Sequence, residues 1–286
     1  MPPASLDPFV FGAVLAAAAM HAGWNAFLKL RLEPLAAMTL IAACSGLVGI
    51  PFLAWFGWPR AEAWPWLVGS VALHVGYYIA LTEAYRRADM GQVYPIARGG
   101  APLLTAAASL LILREPMSFQ ATVGIGVLGA GVALMSLRGS RKHQAIDPVA
   151  VVFALATAVI ISGYTLVDGI GARTAGDPHA YATALFVIDG APLLLFMVWR
   201  DGFRGLTPLL RFAGPGLIAG TLSFAAYWIA IWAMTVAPIA LVGALRETSV
   251  LFAAAIAFVF LKEPFGPIRA LAACLIVAGL LLIRLQ

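Results

Sequence analysis

Charge is what this sequence has least of. Only 11% of its 286 residues are Asp, Glu, Lys or Arg, and 62% are apolar, where an ordinary soluble domain carries roughly 25% charged residues. Such a chain cannot cover itself with polar surface, so its outer solvent must be lipid. Cysteine is nearly absent: Cys44 and Cys274 sit inside apolar runs, far from any CxxC or Cys/His cluster that would hold a metal, and read as inert packing residues. The signatures HExxH and GxSxG, an Asp/His metal cluster and a P-loop are also missing. Their absence speaks against an enzyme, ATP as the energy source and any cofactor. Basic residues are missing from Met1 to Pro8, and the apolar run behind continues to Leu28. A cleaved leader needs basic residues ahead of a short apolar run, so a retained first helix is expected.

What the chain does have is long hydrophobic stretches. A helix rising 1.5 Å per residue needs about 20 apolar residues to cross the hydrocarbon core. Ten stretches qualify: 8–29, 34–57, 64–86, 91–113, 118–138, 148–171, 178–199, 213–236, 239–261 and 265–285. The expected fold class is therefore an all-α membrane protein with ten transmembrane helices. Between the fifth and sixth lies the most polar segment, Gly139 to Asp147, which divides the chain into a first unit, 1–138, a linker, 139–147, and a second unit, 148–286.

The two units resemble each other. With residue 115 laid over 263, Arg98 falls on Arg246, Leu103 on Leu251, Glu115-Pro116 on Glu263-Pro264 and Gly131 on Gly279. With slightly different spacing, Tyr77-Tyr78-Ile79-Ala80-Leu81 matches Tyr227-Trp228-Ile229-Ala230-Ile231, and Gly23-Trp24-Asn25 matches Gly163-Tyr164-Thr165. Five spans per repeat is an odd number, so the second repeat enters the membrane from the opposite side. Two inverted five-helix repeats around a central cavity is the arrangement from which many transporters build alternating access.

Net charge is +5, which in a soluble protein would raise nucleic acid as a partner. Here the basic residues lie between spans, where topology explains them, and no nucleic acid is expected. The side carrying the termini holds Arg60, Arg114, Arg173 and Arg284. The other side holds Lys29, Arg31, Arg86, Arg87, Arg138, Arg141, Lys142, Arg200, Arg204, Arg211, Lys262 and Arg269. Basic loops face the cytoplasm, so this count places both termini outside it.

Ionisable groups at membrane depth cost a few kcal/mol at least and mark function by default. The set is His21, His74, Arg98, Asp168, Asp189, Arg246 and Glu247. Arg98 and Arg246 are repeat mates, and a guanidinium, permanently charged and planar, suits a carboxylate. Either they bind a substrate carboxylate or they pair with Asp or Glu to lock helices, and both readings stay open. Glu247 points about 100° away from Arg246 on one helix, so one of the two faces the pathway. Asp189 lies beside Gly190 and Pro192, which could interrupt its helix; it suits an ammonium group, a proton relay or a buried arginine. His21 and His74 could titrate near neutral pH, or pack. Trp24, Asn25, Tyr77, Tyr78, Tyr94, Tyr164, Tyr227 and Trp228 sit largely at repeat-matched places and could line a cavity. Trp55, Trp58, Trp64 and Trp66 suit an interfacial belt. Pro95, Gly99, Gly100 and Pro102 concentrate helix-weakening residues around Arg98, Glu115 and Glu263 read as helix-start residues at sharp turns, and Gly124, Gly126, Gly129 and Gly131 invite close helix packing, within one subunit or between two.

The run Ala84-Tyr85-Arg86-Arg87 leading into Val93-Tyr94-Pro95-Ile96-Ala97-Arg98, then Leu113-Arg114-Glu115-Pro116 and again Leu261-Lys262-Glu263-Pro264, resembles the EamA-type transporters of the drug/metabolite transporter superfamily. The likeness covers essentially the whole chain and extends to YddG-like amino-acid exporters. It implies a basket of ten helices around a cavity, export of amino acids, related metabolites or drugs, and cytoplasmic termini, against the charge count. The related small multidrug-resistance proteins carry a glutamate on their first helix for proton-coupled exchange; the first span here offers His21, Trp24 and Asn25 and no carboxylate.

The expected function is a secondary transporter exporting amino acids or related small metabolites across a bacterial-type inner membrane. The candidate substrate-binding residues are His21, Trp24, Asn25, Tyr77, Tyr78, Arg98, Tyr164, Asp189, Tyr227, Trp228, Arg246 and Glu247. Expected partners are the small-molecule substrate and membrane lipid, with monomer or homodimer undetermined. One alternative is an exporter of organic cations or drugs, resting on Asp189, Glu247 and the aromatic set; another is an intramembrane enzyme acting on lipid-linked substrates.

Overall fold

A computed structural model of the chain describes residues 6–27, 32–88, 90–136, 147–262 and 266–285. The 139–146 part of the polar linker, the Glu263-Pro264 turn and the Tyr94 side chain lie outside what is described. Among the described residues the secondary structure is all helical: α1 (Pro8–Phe27), α2 (Pro34–Phe56), α3 (Trp64–Arg87), α4 (Met90–Leu111), α5 (Phe119–Ser136), α6 (Pro148–Thr174), α7 (Pro178–Asp201), a short α8 (Thr207–Arg211), α9 (Ala213–Val236), α10 (Ile239–Arg246), α11 (Ser249–Leu261) and α12 (Pro267–Arg284).

Seven of these helical stretches are long and apolar enough to cross a membrane by length and composition, from Leu35–Phe56 to Pro267–Arg284, and Ile96–Leu111 and Phe119–Met135 add two shorter apolar helices. Their outer faces carry large apolar side chains in the open, among them Trp55, Leu111, Phe119, Leu195, Trp199 and Leu281. That is the surface of a multi-pass membrane protein. Trp58 and Trp64 stack at 5.6 Å near the α2–α3 turn, whereas Trp66, read from sequence as part of the same belt, packs against the core.

Local chemistry sets the helix ends, and it does so twice. Asp7-Pro8 opens α1 and Asp147-Pro148 opens α6; each aspartate accepts a hydrogen bond from the backbone two residues on, Phe9 at 2.7 Å and Val149 at 2.9 Å. Proline in the first turn lacks only a donor that would be unpaired there anyway. Gly57 closes α2 and Gly202 closes α7, both at positive φ, and Arg114 and Lys262 both adopt φ near 55° (54° and 56°) after α4 and α11. A left-handed arginine and a left-handed lysine are uncommon; meeting them at repeat-matched positions shows one backbone design used in both halves.

The helices pack in matched pairs as well. α2 packs on α7 and α5 on α12, each against its own counterpart; α1 packs on α9 as α6 packs on α3, and α4 packs on α6 as α10 and α11 pack on α1. The halves therefore interleave rather than sit side by side. With lipid outside, no hydrophobic driving force holds helices together, so close backbone approach must. At α5–α12 a Cβ on Gly131 would lie 2.7 Å from Ile276 Cγ1, and one on Gly124 would lie 3.0 Å from the Gly279 carbonyl oxygen. The glycines of the fifth span thus serve packing inside the subunit, with Gly129 meeting Leu103 of α4 and Gly126 meeting nothing.

Three sequence-based expectations need correction. The ninth stretch is not one helix: it breaks at Glu247 and Thr248, between α10 and α11. The helix-weakening cluster around Arg98 breaks nothing, since α4 runs through Pro95 and Pro102. Gly190 and Pro192 likewise leave α7 uninterrupted, and Gly190 instead lets α7 approach α2, where an added Cβ would lie 3.0 Å from the Ala42 carbonyl oxygen. Glu115 also does more than turn the chain. Its carboxylate accepts from the Ser109 hydroxyl and from the Ile239 N–H at 2.9 Å, and pairs with Arg173 at 2.5 Å. Arg173 in turn donates to the carbonyls of Met234 at 2.8 Å and Ala237 at 3.0 Å, so one ion pair clasps the α4–α5 loop to the ends of α6 and α9 and the start of α10.

Deeper in the bundle Asp168 is fully buried, with the Tyr181 hydroxyl donating to one oxygen at 3.0 Å and the Tyr227 hydroxyl donating to the other. Removing that acceptor strands two buried donors, at about 1–3 kcal/mol each. We expect Asp168→Ala to lower the melting temperature of the purified protein in detergent, and Asp168→Asn, which keeps an acceptor, to restore much of the loss. Overpacking predicts a loss of about 1–3 kcal/mol for Gly131→Val, read in the same melt, while Gly126→Ala leaves the melt unchanged.

Candidate functional site

A polar cavity of about 100 Å³ opens among α1, α2, α3, α4, α6, α7, α9 and α10. Arg98 and Arg246 reach it from α4 and α10, Asp189 from the middle of α7, and Tyr77, Tyr78, Tyr164 and Tyr227 form its walls with His21, Trp24 and His74. A second lobe of about 80 Å³ shares His21, Trp24, Tyr77 and Arg98 and continues past Asn25, Leu81 and Tyr85. Residues distant in sequence meet here because the interleaved packing brings the middle of both halves to one point.

The cationic pole is built from a pair and a stack. Arg98 Nη1 lies 3.5 Å from Glu247 Oε1, joining α4 to the α10–α11 break. Arg246 lies over the Tyr227 ring, its Cζ 4.4 Å from the centroid, and no carboxylate is within ion-pair distance of it among the described residues. The helix break explains the arrangement. The N–H groups of Glu247 and Thr248 bond back to Ala244 and Leu245 at 3.1 Å in a tight turn, so the Glu247 carboxylate reaches Arg98 while Arg246 keeps to the cavity wall. Of the two readings open for these arginines, helix locking describes Arg98 with Glu247; Arg246 lines the void.

The anionic pole is Asp189. It is only 9% exposed; Oδ2 accepts from the Tyr78 hydroxyl at 3.3 Å, and Oδ1 has no hydrogen-bond partner among the described residues. Among the described residues no arginine pairs with it, unlike one of the sequence readings. The other buried carboxylate oxygen lacking a partner among the described residues is Glu247 Oε2; Glu247 lines a water-sized side pocket of about 10 Å³ with Arg98, Arg246, Thr105 and Thr165.

His21 sits between two donors. Arg98 Nη2 is 2.7 Å from its Nε2 and the Trp24 indole N–H is 3.2 Å from its Nδ1, yet a neutral imidazole has one acceptor nitrogen. Asn25 turns away from the ring and donates to the His21 carbonyl at 2.7 Å. His74 places Nδ1 2.9 Å from the Ser70 carbonyl and stacks on Tyr164 at 4.4 Å, and Tyr164 in turn meets Tyr77 and Tyr227 edge-on at 6.2 Å.

Two candidates fall elsewhere: Glu247 lines the side pocket and not the main cavity, and Trp228 joins a different cluster. The Trp228 indole donates to His179 Nδ1 at 2.8 Å amid Phe52, Phe56 and Phe224, outside the cavity. Its mate Tyr78 is in the cavity, so the repeat matches in sequence but diverges in surroundings. Sequence reasoning also passed over Ser45, Ser223, Met38 and Phe186, which complete the walls and carry no signal beyond membership of apolar helices. Among the described residues no group of His, Cys, Asp or Glu could hold a metal ion.

Comparison with known proteins agrees with this architecture. No curated protein matches the chain. A solved crystal structure 19% identical in sequence superposes with a TM-score of 0.73 over 97% of this chain and 96% of its own, which makes the fold one already seen in a crystal. The EamA-like transporter family matches twice, over residues 8–137 and 148–285. Two copies of that domain span nearly the whole sequence, and the chain belongs to the EamA-like transporter family.

Proposed function

We propose that this protein is a secondary transporter that exports amino acids or related small metabolites across the inner membrane by alternating access. Its ten apolar stretches cross the bilayer as two inverted five-helix repeats, and substrate occupies the cavity between them. The observation that carries the reading is the pairing of opposite poles in one buried void: Arg246 and Arg98 on one wall, and the unpartnered Asp189 Oδ1 on another. A zwitterion satisfies both, its carboxylate on the guanidinium groups and its ammonium on Asp189, while Tyr77, Tyr164 and Tyr227 receive an apolar side chain.

Inversion is supported by the repeat-matched helix ends and by the way the fifth helix of each half, α5 and α12, packs on the other. Alternating access is supported by an asymmetry. Where α9 meets α2 the contact is tight, with a Cβ on Gly220 falling 2.6 Å from Cys44 Cβ and the Ser45 hydroxyl donating to the Gly220 carbonyl at 3.0 Å. The matching pair, α3 and α7, meets at Tyr78 and Asp189 across the cavity wall. In a ten-span topology the Glu115–Arg173 clasp shuts the end bearing the termini, and the second lobe runs toward the opposite, more basic end. By the charge rule that end is cytoplasmic, so the conformation faces the cytoplasm.

The free oxygen of Asp189 and the aromatic walls also favour a second reading, organic cations or drugs as cargo, although two arginines in the same void oppose a cation. In liposomes, the purified protein is expected to exchange labelled L-phenylalanine or L-alanine by counterflow. Arg246→Ala should cut that exchange at least tenfold, the ~1.4 kcal/mol or more that a charge-assisted hydrogen bond is worth, while eluting as wild type by size. No exchange of any amino acid by well-folded protein, together with uptake of a cationic dye, would decide for the second reading.

A further inference from the structure

The carrier has no nucleotide motif, so net export must draw on a gradient, and its cavity holds one carboxylate oxygen, Asp189 Oδ1, with no hydrogen-bond partner among the described residues. We propose that Asp189 is the proton-carrying site: its Oδ1 takes either a proton or the ammonium group of the substrate, so each turnover exchanges one for the other. This rests on the amino-acid reading above.

Among the described residues the other buried carboxylates, Asp168 and Glu247, do not line the main cavity. Both oxygens of Asp168 accept from tyrosine hydroxyls, and Asp168 does not line the cavity. Glu247 pairs with Arg98 through Oε1 at 3.5 Å and lines the side pocket together with both arginines, an ion-pair setting away from the main cavity. Asp189 is the carboxylate that lines the main cavity, and α7 holds it in place, since Gly190 seats the helix directly on the α2 backbone. From α3 it faces Tyr78, which holds Oδ2, with Tyr77 and His74 beside it; from α6, Tyr164 and more distantly Asp168; from α9, Tyr227; from α2, Ser45 and no ionisable side chain of the lining; and across the void, Arg98 and Arg246. His21 and His74 are the rival proton sites: both ring nitrogens of His21 already face donors, Arg98 at 2.7 Å and the Trp24 indole at 3.2 Å, while the Ser70 carbonyl takes His74 Nδ1–H and leaves Nε2 as the competitor that His74→Gln must exclude.

The exchange balances. Hydronium entering the open cavity gives its proton to Oδ1 and leaves as water, forming an O–H bond that removes the carboxylate charge and turns the unpartnered acceptor into a hydroxyl. On the opposite side that proton returns to water as the ammonium group ion-pairs with the carboxylate it leaves. Arg98 with its partner Glu247, and Arg246 with Asp189 across the void, give the empty site no net charge. A bound zwitterion keeps it so, while a bound proton adds one positive charge. Exchange of a zwitterion for a proton therefore moves net charge, whereas exchange of a monocation for a proton moves none.

The test uses the full chain in liposomes, labelled L-phenylalanine as probe, and pyranine inside to follow protons. With the potential clamped and the interior one pH unit more acidic, accumulation is expected to approach about tenfold, the equilibrium for one proton per substrate. At equal pH, an interior-positive potential of about 59 mV should do the same. Asp189→Asn is expected to lose gradient-driven accumulation and the proton efflux that accompanies phenylalanine influx, and whatever counterflow it retains should no longer respond to an imposed pH difference. Accumulation retained in Asp189→Asn, or lost in His74→Gln while Asp189→Asn keeps it, overturns the assignment. Should the variants fail to fold, the wild-type protein still decides: phenylalanine influx with no proton efflux overturns it too. Counterflow absent in the wild type would instead sink the amino-acid reading, and this one with it.

Discussion

At membrane depth there is no water to answer a polar group, so every donor and acceptor inside this bundle has to find its partner in the protein. The structure obeys that constraint almost without remainder. Thr39, Thr82, Thr105, Thr157, Thr165, Thr174, Thr183 and Thr221 each return the hydroxyl to the carbonyl one turn back, at 2.6–2.9 Å. Asp168 is satisfied by two tyrosines, and Ser45 by a carbonyl on a neighbouring helix. Among the described residues two buried side-chain oxygens are left over, Asp189 Oδ1 and Glu247 Oε2; Asp189 lines the main cavity, and Glu247 lines the small side pocket that shares Arg98, Tyr164 and Arg246 with it. Leftover polarity in such a medium is costly, and its confinement to one place is what marks that place as a site for something that comes and goes.

The same absence of water shapes how the helices hold together. Burying leucine against leucine gains little when the alternative is lipid, so the scaffold relies on backbone approach and on a few ionic ties. Glycine permits the approach: α5 meets α12 at Gly124, Gly131 and Gly279, and α2 meets α9 at Gly216 and Gly220. The Glu115–Arg173 tie gains more from its surroundings than a surface ion pair would, because Arg173 also donates to two helix-end carbonyls that would otherwise be unsatisfied. One half thus supplies the carboxylate and the other supplies the guanidinium and the carbonyls, so the tie can open only if the halves separate at that end.

What was legible in the sequence follows from which of these forces is local. Hydropathy is local, and the helix bounds agree with the apolar stretches to within a few residues. Duplication is legible wherever both copies keep the same chemistry, as with Arg98 and Arg246, or the left-handed Arg114 and Lys262. The break after Arg246 was not legible, because neither Glu247 nor Thr248 is a helix breaker. Conversely, Pro95 and Pro102 suggested a break in α4 that never comes, each proline removing one donor from a helix whose other bonds persist. Contacts between remote residues were out of reach altogether. Nothing near Glu115 announces that its partner is Arg173 or the backbone of Ile239, and nothing near Trp228 announces that it leaves the cavity for His179.

His21 shows how these constraints meet at the site. A guanidinium only donates, so the 2.7 Å contact makes His21 Nε2 the acceptor and puts the ring proton on Nδ1. That proton then faces the Trp24 indole N–H at 3.2 Å, donor against donor. The alternative tautomer satisfies Trp24 and sets an N–H against Arg98 instead. Either way the neutral ring leaves one of its two neighbours opposed while all three stand together, and a protonated ring would oppose both. A carboxylate that draws Arg98 off Nε2 removes the conflict, since Nδ1 is then free to accept from Trp24. The cavity therefore holds Arg98 less firmly than its buried pair with Glu247 suggests: part of what a ligand must break to reach the guanidinium is a contact that His21 cannot fully satisfy.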